Sequence, residues 1–319
     1  MRKFLSLNLL FVLLALCGCN DGAENKETRL LLDTIVSLQA DCDDETLEEA
    51  FELCAQYEDM FSRTVEESDV FKINSADGTV EVSNDTAYLV NRSLYYSDLS
   101  GGAFDITVAP VSMLWDFNGE VVPDRNEIAA ALQSVDYHSV SVIDNTVNVG
   151  GAKIDLGAIA KGYIADKLAA FLKEKGAKEG IVNLGGNVTV LGEMERIIGI
   201  KKPFSDEEIA ARVGVGDGYS VVTSGTYERY IENGGKKYHH ILDPKTGYGV
   251  ETDLLSVTII GKSGTDCDAL STVCILLGHK RAEKLIEDTA GFEAVFITED
   301  GTVSHTSGLK NEDDIYFLK

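Results

Sequence analysis

Lys153-Ile154-Asp155-Leu156-Gly157-Ala158-Ile159-Ala160-Lys161-Gly162-Tyr163 is the stretch around which the chain is organised. A β-like run over residues 147–154 leads into Asp155. After Gly157, the apolar residues Tyr163, Ile164, Leu168, Phe171 and Leu172 recur at helical spacing. An acid and a lysine therefore sit where a strand turns into a helix. Backbone N–H groups at a helix start lack partners and the helix dipole is positive there, which suits an anion such as phosphate. Lys161 adds a mobile cation about one and a half turns into the helix. An ordinary strand-turn-helix with a solvated lysine fits the same letters, so the rest of the chain must weigh the two readings.

Moving outward, the chain has 319 residues, 44% of them apolar and 25% charged, enough for a large core in one big domain or two intimate lobes. The formal net charge of -25 argues against nucleic acid, and against an anionic membrane surface, as electrostatic partners. An anionic ligand then needs a local cation, either lysine or metal. Arg2 and Lys3 precede an apolar run over residues 4–16, which reads as a signal peptide covering residues 1–18. It ends in Leu16-Cys17-Gly18-Cys19, which resembles a bacterial lipobox and makes Cys19 the expected lipidated residue. Residues 19–29 read as a polar tether, and residues 30–319 as the working domain. Cys42, Cys54, Cys267 and Cys274 show no zinc spacing. They are expected to be mostly free core thiols, with a Cys42–Cys54 bridge left open.

Alternation predicts one strand over residues 30–40, and acids followed by a helical stripe predict a helix over 43–60. Residues 61–74 read as a loop and 83–100 as a helix with Ala87, Val90, Leu94 and Tyr95 inward. Gly101 and Gly102 then allow close backbone approach to a ligand, or simply make a turn before a strand. A short helix is expected over 124–132, a hairpin over 140–149, and, within 180–190, a buried strand ending in the double glycine Gly185-Gly186. In Tyr238-His239-His240-Ile241-Leu242-Asp243-Pro244, adjacent strand residues point to opposite faces, so only one histidine can face a site. That spacing is poor for zinc. Asp268 and Thr272 stand i, i+4 on one face of a predicted helix. A carboxylate and a hydroxyl with a backbone carbonyl make an oxygen-only set suited to Mg²⁺. An acid near a helix start with a packed threonine is the plainer alternative.

Taken in order, these motifs resemble the ApbE family of bacterial FAD:protein FMN transferases. Asp33-Thr34, Phe61-Ser62, Ser68 with Asn74, the segments 100–110, 155–163, 183–187, 223–228 and 240–247, and Asp268 to Thr272 span nearly all of the expected mature chain. The resemblance implies a mixed α/β (α+β) fold with FAD, the substrate, bound between two closely joined lobes. It implies Ala103, Phe104 and Asp105 as flavin-pocket residues and Asp155 and Lys161 as FAD contacts. Ala158 through its carbonyl, Asp268 and Thr272 would hold Mg²⁺, with Ser271 adjacent. His240 is implied as the base, with Asp268 as the alternative catalytic group, and Ile241 and Leu242 line the adenosine side. Leu32 stands where relatives often carry methionine against FAD. Thr64 stands where an aromatic is common, with Trp115 or Tyr227 as candidate replacements. The implied partner is an acceptor flavoprotein subunit of a membrane redox complex, flavinylated on a Ser or Thr hydroxyl with release of AMP. The protein itself would be extracytoplasmic and held to a bacterial membrane by its lipid. The same site with water as acceptor is a FAD pyrophosphatase. A non-catalytic flavin-binding lipoprotein is the third reading.

Overall fold

One wide sheet carries the molecule, with helices on one face and a second sheet on the other. The computed structural model describes residues 24–205 and 207–319, so the signal segment and Cys19 lie outside the described residues. The chain opens with a hairpin, β1 (Asn25–Leu31) and β2 (Thr34–Ala40). This corrects the single strand expected over 30–40: Leu32 and Asp33 take left-handed φ of 55° and 53° and reverse the chain. It also shortens the expected tether, because Asn25 to Thr28 pair with Ala40 to Ser37.

Helix α1 (Asp44–Phe61) is capped by Asp43, which accepts from the Thr46 N–H, and buries Leu47, Ala50, Phe51, Cys54 and Tyr57 as the periodicity predicts. The expected loop over 61–74 instead contains α2 (Asp69–Ser75), started by Ser68 accepting from Phe71 N–H. Its few apolar letters hide the helical period. After β3 (Thr79–Glu81) comes α3 (Asn84–Ser100), capped by Ser83. It buries Tyr96 at 1% exposure and leaves Tyr95 at 47%, the reverse of the expected choice. Tyr96 continues the stripe through Leu89 and Ser93, whereas Tyr95 is a hundred degrees off it. Beyond the glycine turn the chain forms a 3-10 turn (Ile106–Val108) and α4 (Ala109–Ser112) rather than a strand. Helix α5 (Arg125–Ala131) starts with a capping box of Asp124 and Glu127.

The predicted hairpin is β4 (Ser141–Ile143) and β5 (Thr146–Asn148), joined by β3 into a small sheet. The β-like run to 154 ends early, at Asn148, because Gly150 and Gly151 turn with positive φ. Then follow α6 (Ala160–Glu174), β6 (Gly180–Leu184), β7 (Asn187–Leu191), β8 (Arg196–Lys201), β9 (Ile209–Val215) and β10 (Ser220–Gly225). The hairpin β11 (Tyr230–Asn233) and β12 (Lys236–His239) precedes β13 (Leu254–Gly261), α7 (Gly264–Leu277) and α8 (His279–Glu287). Strands β14 (Phe292–Thr298), β15 (Val303–His305), β16 (Leu309–Glu312) and β17 (Ile315–Leu318) close the chain.

The wide sheet has the order β1-β2-β6-β7-β10-β13-β14-β15 and is antiparallel throughout. Val182, Val222, Ile259 and Phe296 face a core shared with α1, α3, α6, α7 and α8. Their neighbours Ile181, Val221, Ile260 and Ile297 face a second core under the sheet β16-β17-β9-β8. That two-sided burial explains why β6 and β7 are apolar without alternation. Each large side chain so buried contributes roughly 1.5–3 kcal/mol. A third, small core joins Val111, Trp115 and Ile128 to Ile231 and Leu242. Cys42, Cys54, Cys267 and Cys274 are free thiols, so Cys42 and Cys54 are not bridged. Burial, reinforced by Glu58, pushes the Cys54 thiol up to about 12. Among the described residues no helix is long and apolar enough to cross a membrane.

Candidate active site

Helices α6 and α7 meet at Gly162 and Gly264 with no room there for a side chain between them. A Cβ on Gly162 would lie 2.1 Å from the Gly264 carbonyl oxygen and 2.7 Å from Asp268 Cβ. The closeness lets the backbone of α6 reach the carboxylate of α7: Gly162 N–H donates to Asp268 Oδ2 at 2.9 Å. Asp166 fastens the crossing by capping α7. It accepts from Gly264 N–H at 2.8 Å, Thr265 N–H at 2.9 Å and Thr265 Oγ1 at 2.8 Å. Burial nonetheless holds Asp166 above the usual carboxylate range. From α3, Arg92 Nε meets Asp266 Oδ1 at 2.5 Å while its guanidinium lies over Tyr95 and Tyr96.

Around Asp268, which is 4% exposed, oxygens converge. Ser271 Oγ donates to the Asp268 carbonyl at 2.8 Å and shares a hydrogen bond with Ser224 Oγ at 2.7 Å. Ser224 Oγ lies 3.4 Å from Thr272 Oγ1. Asn187, which follows the Gly185-Gly186 turn, places Nδ2 3.4 Å from Asp268 Oδ1. Its Oδ1 is buried with no hydrogen-bond partner. Ala158 stands in the turn before α6, about one helical turn from Gly162. Among the described residues no group of three His, Cys, Asp or Glu side chains is placed to hold a metal. This set is one carboxylate with hydroxyls, an amide oxygen and a nearby carbonyl. It fits a hard cation that takes its remaining oxygens from water and phosphate, as Mg²⁺ does.

The opposite wall belongs to the chain on either side of β11 and β12. His240 N–H and Nδ1–H both donate to the Arg229 carbonyl, at 3.1 and 3.2 Å. Nε2 is thereby left with a free lone pair. Burial first, and then the Arg229 charge, pushes this imidazole down to about 3, so it is neutral at ordinary pH. His239 turns the other way, donating from Nε2 to the Val250 carbonyl at 3.0 Å, as strand alternation requires. Glu228 meets solvent at its surface yet is crowded by protein. Crowding pushes its carboxyl up to about 7, against the pull of Lys161, Arg229 and Lys201 and with the push of Asp268. Water at the exposed oxygens screens part of that rise. Lys161 acts electrostatically on His240 as well, so Lys161, Glu228, Arg229, His240 and Asp268 belong to one electrostatic neighbourhood.

Other residues singled out by sequence are already engaged. Asp155 Oδ1 accepts from Gly157 N–H at 2.9 Å, and its Oδ2 lies 3.3 Å from both Arg63 Nη1 and Ser112 Oγ. Lys161 Nζ donates to the Gly157 carbonyl at 3.3 Å. Asp105 accepts from Thr107 N–H and Oγ1 and from Tyr137 N–H, and burial raises its carboxyl despite those bonds. Asp105 also lines a cavity of about 200 Å³ with Gly101, Gly102, Tyr137, Pro244 and Lys245, so the glycine turn faces the turn after His240. Ala103 is half-buried beside it, while Phe104 is 3% exposed and belongs to the main core. Ile241 packs into the main core and Leu242 into the third. Leu32 sits in the β1–β2 turn, its N–H donating to Glu58 Oε1, and Thr64 is exposed beside Ser62. Neither bonds to the Asp268 cluster among the described residues. Trp115 is held inside the third core by donating Nε1–H to the Gly247 carbonyl at 3.0 Å, and Tyr227 packs on Phe204. Sequence reasoning passed over Arg63, Ser112, Asn187, Ser224 and Glu228. Asn187, Ser224 and Glu228 stand in motifs already noted, but only the fold shows what they face.

The sequence profile of the ApbE family matches residues 32–296. An FAD:protein FMN transferase of Klebsiella pneumoniae is 37% identical over 289 residues, covering 88% of this chain and 91% of that protein. One from Treponema pallidum is 35% identical, covering 82% and 80%. The crystal structure of the ApbE protein of Thermotoga maritima superposes with a TM-score of 0.81 at 34% identity, covering 89% of this chain and 97% of that one. The flavin transferase ApbE of Vibrio cholerae gives 0.77 at 26% identity, covering 89% and 98%. With a profile match over most of its length and relatives this similar over most of theirs, the chain belongs to the ApbE family.

Proposed function

We propose that this protein is an enzyme that transfers FMN from FAD to a Ser or Thr hydroxyl of another protein, with release of AMP. The observation that carries the reading is the pairing of two walls. One is a buried oxygen set around Asp268. The other is a neutral His240 whose Nε2 is free to accept a proton. The acceptor oxygen attacks the FMN-side phosphorus of the pyrophosphate, and the bond from that phosphorus to the AMP oxygen breaks. Nε2 of His240 takes the hydroxyl proton. Lys161 faces the negative charge that grows on the departing phosphate. Asp268, Thr272 and the Ala158 carbonyl, with Ser271 beside them, would hold Mg²⁺, which supplies charge neutralisation to the phosphates when bound. Asp155 and Asp105 keep the loops next to the flavin in shape, through Arg63 and Tyr137. Leu32, Thr64, Ala103, Phe104, Ile241 and Leu242 complete the surroundings of FAD in this reading.

A second reading has a specific observation behind it. Glu228 and Arg229 are exposed to solvent, so water can reach the same cleft and turn transfer into hydrolysis of FAD to FMN and AMP. The membrane-side partner, the signal peptide and lipidation at Cys19 belong to the same proposal, which puts the enzyme outside the cytoplasm.

Mass spectrometry separates these outcomes. The soluble protein is mixed with FAD, Mg²⁺ and a candidate acceptor domain. An acceptor gain equal to FMN, lost on chelation and in Asp268→Ala, supports transfer. Free FMN with an unmodified acceptor supports hydrolysis. Full transfer by Asp268→Ala with an unchanged Mg²⁺ response removes the metal assignment.

A further inference from the structure

Resting on that reading of the cation site, we propose that Asn187 is one of its positioning residues. Its Nδ2 steers the Asp268 carboxylate, and its Oδ1 accepts a hydrogen bond from a water of the cation's hydration shell. Asn187 opens β7, opposite Leu184 across the double-glycine turn and opposite Val222 of β10. It is 3% exposed, yet Oδ1 has no partner. Two residues along the same strand face, Thr189 Oγ1 and Ser220 Oγ satisfy each other at 2.8 Å. An unanswered acceptor is therefore not a general property of that face. Among the buried polar atoms left without partners in the described residues, Asn187 Oδ1 alone belongs to a side chain that touches Asp268. Rotating the amide gives no relief, because it would set oxygen against carboxylate oxygen. A hydrated divalent cation on Asp268 answers the need: it brings water donors to the buried oxygen, and Mg²⁺ keeps several waters when it binds. Outer partners of this kind typically tune metal affinity by about 10–100-fold.

The test is a Mn²⁺ titration followed by electron paramagnetic resonance on the full soluble chain, with and without FAD, and with melting curves to confirm folding. Asn187→Leu should weaken Mn²⁺ binding by about tenfold or more. Asn187→Asp keeps an acceptor oxygen but replaces the Nδ2 donor with a second carboxylate oxygen beside Asp268, a repulsion that a cation relieves, so its melting point should rise more on adding Mn²⁺ than that of wild type. Thr189→Val, on the same face, should leave the affinity unchanged. A folded Asn187→Leu protein within twofold of wild type overturns the proposal, and so does a folded Asn187→Asp protein whose melting point rises no more with Mn²⁺ than that of wild type. If Asn187→Leu is unchanged while Asp268→Ala loses Mn²⁺, Asn187 alone is misassigned. If Asp268→Ala also binds normally, the cation site itself falls. Should Asn187→Leu fail to fold, Asn187→Asp decides.

Discussion

The α6–α7 crossing and the chain around the β11–β12 hairpin supply the two halves of the candidate site, and they are built by opposite means. At the crossing, backbone touches backbone, Asp166 ties one helix to the other, and the Asp268 carboxylate is fixed from two elements. The hairpin is two strands paired only with each other among the described residues, with Glu232, Asn233, Lys236 and Lys237 in solvent. The oxygen set sits where backbone packs directly on backbone. The proposed proton acceptor and the exposed charges sit on or beside a hairpin whose tip meets solvent. A substitution at the crossing should therefore strike fold and activity together, and one at His240, just outside the hairpin and its buried Ile231, activity alone.

Gly162→Ala should show the largest effect. Its methyl group would have to enter space held by the Gly264 carbonyl, which is backbone and cannot swing aside. We expect a loss of about 3 kcal/mol, a melting point lower by roughly 5 °C or more, and no transfer. An unchanged melting curve would mean the helices can part, and the contrast between the walls would dissolve.

His240→Ala probes the other wall. Single-turnover FMN transfer should drop about 10²-fold or more while the melting point holds within about 2 °C. Transfer at the wild-type rate would move the base role away from His240, whereas a collapse in stability would show that the hairpin is structural after all.

Glu228→Gln should give the smallest effect and sharpens the comparison through pH. The folded protein raises this carboxyl from its ordinary 4.5 to about 7, favouring the neutral form. Its contribution to stability is therefore complete below pH 4.5 and lost as pH rises through about 7. Relative to wild type, the glutamine variant should melt higher at pH 8 than at pH 5, by a small margin because the group meets water. Equal differences at the two pH values would remove the raised carboxyl from the description of the cleft.

How much of this was legible depends on which force decided each piece. Helices α1, α3, α6 and α7 were readable because their apolar spacing is local and agrees with the packing, and α1, α3 and α7 also start on a side-chain cap. The first hairpin was not, since Leu32 and Asp33 carry no glycine to announce a left-handed turn. Helix α2 was hidden by its polar letters, and Tyr95 was chosen over Tyr96 because adjacent aromatics blur a helical stripe. In the site, Asp268, Thr272, Lys161 and His240 were visible through ordered motifs. Arg63 was not, because its partners Asp155 and Ser112 are distant in sequence and only the folded chain brings them together. Asn187 and Glu228 were invisible for a different reason. What marks them is an unmet hydrogen bond and a crowded carboxylate, and neither is written in a residue's identity.

The bond from Gly162 to Asp268 spans 106 residues, that from Asn187 to Asp268 spans 81, and Arg92 reaches 174 residues forward to Asp266. Contacts of such long range form late, after the entropy of closing large loops has been met. During synthesis, a chain that has emerged only as far as Leu242 already carries Lys161 and His240 but has no Asp268 for them to face. On the proposed function, the newborn chain cannot assemble its site until Asp268 and the elements around it have emerged, so holding the substrate would report that synthesis has passed α7.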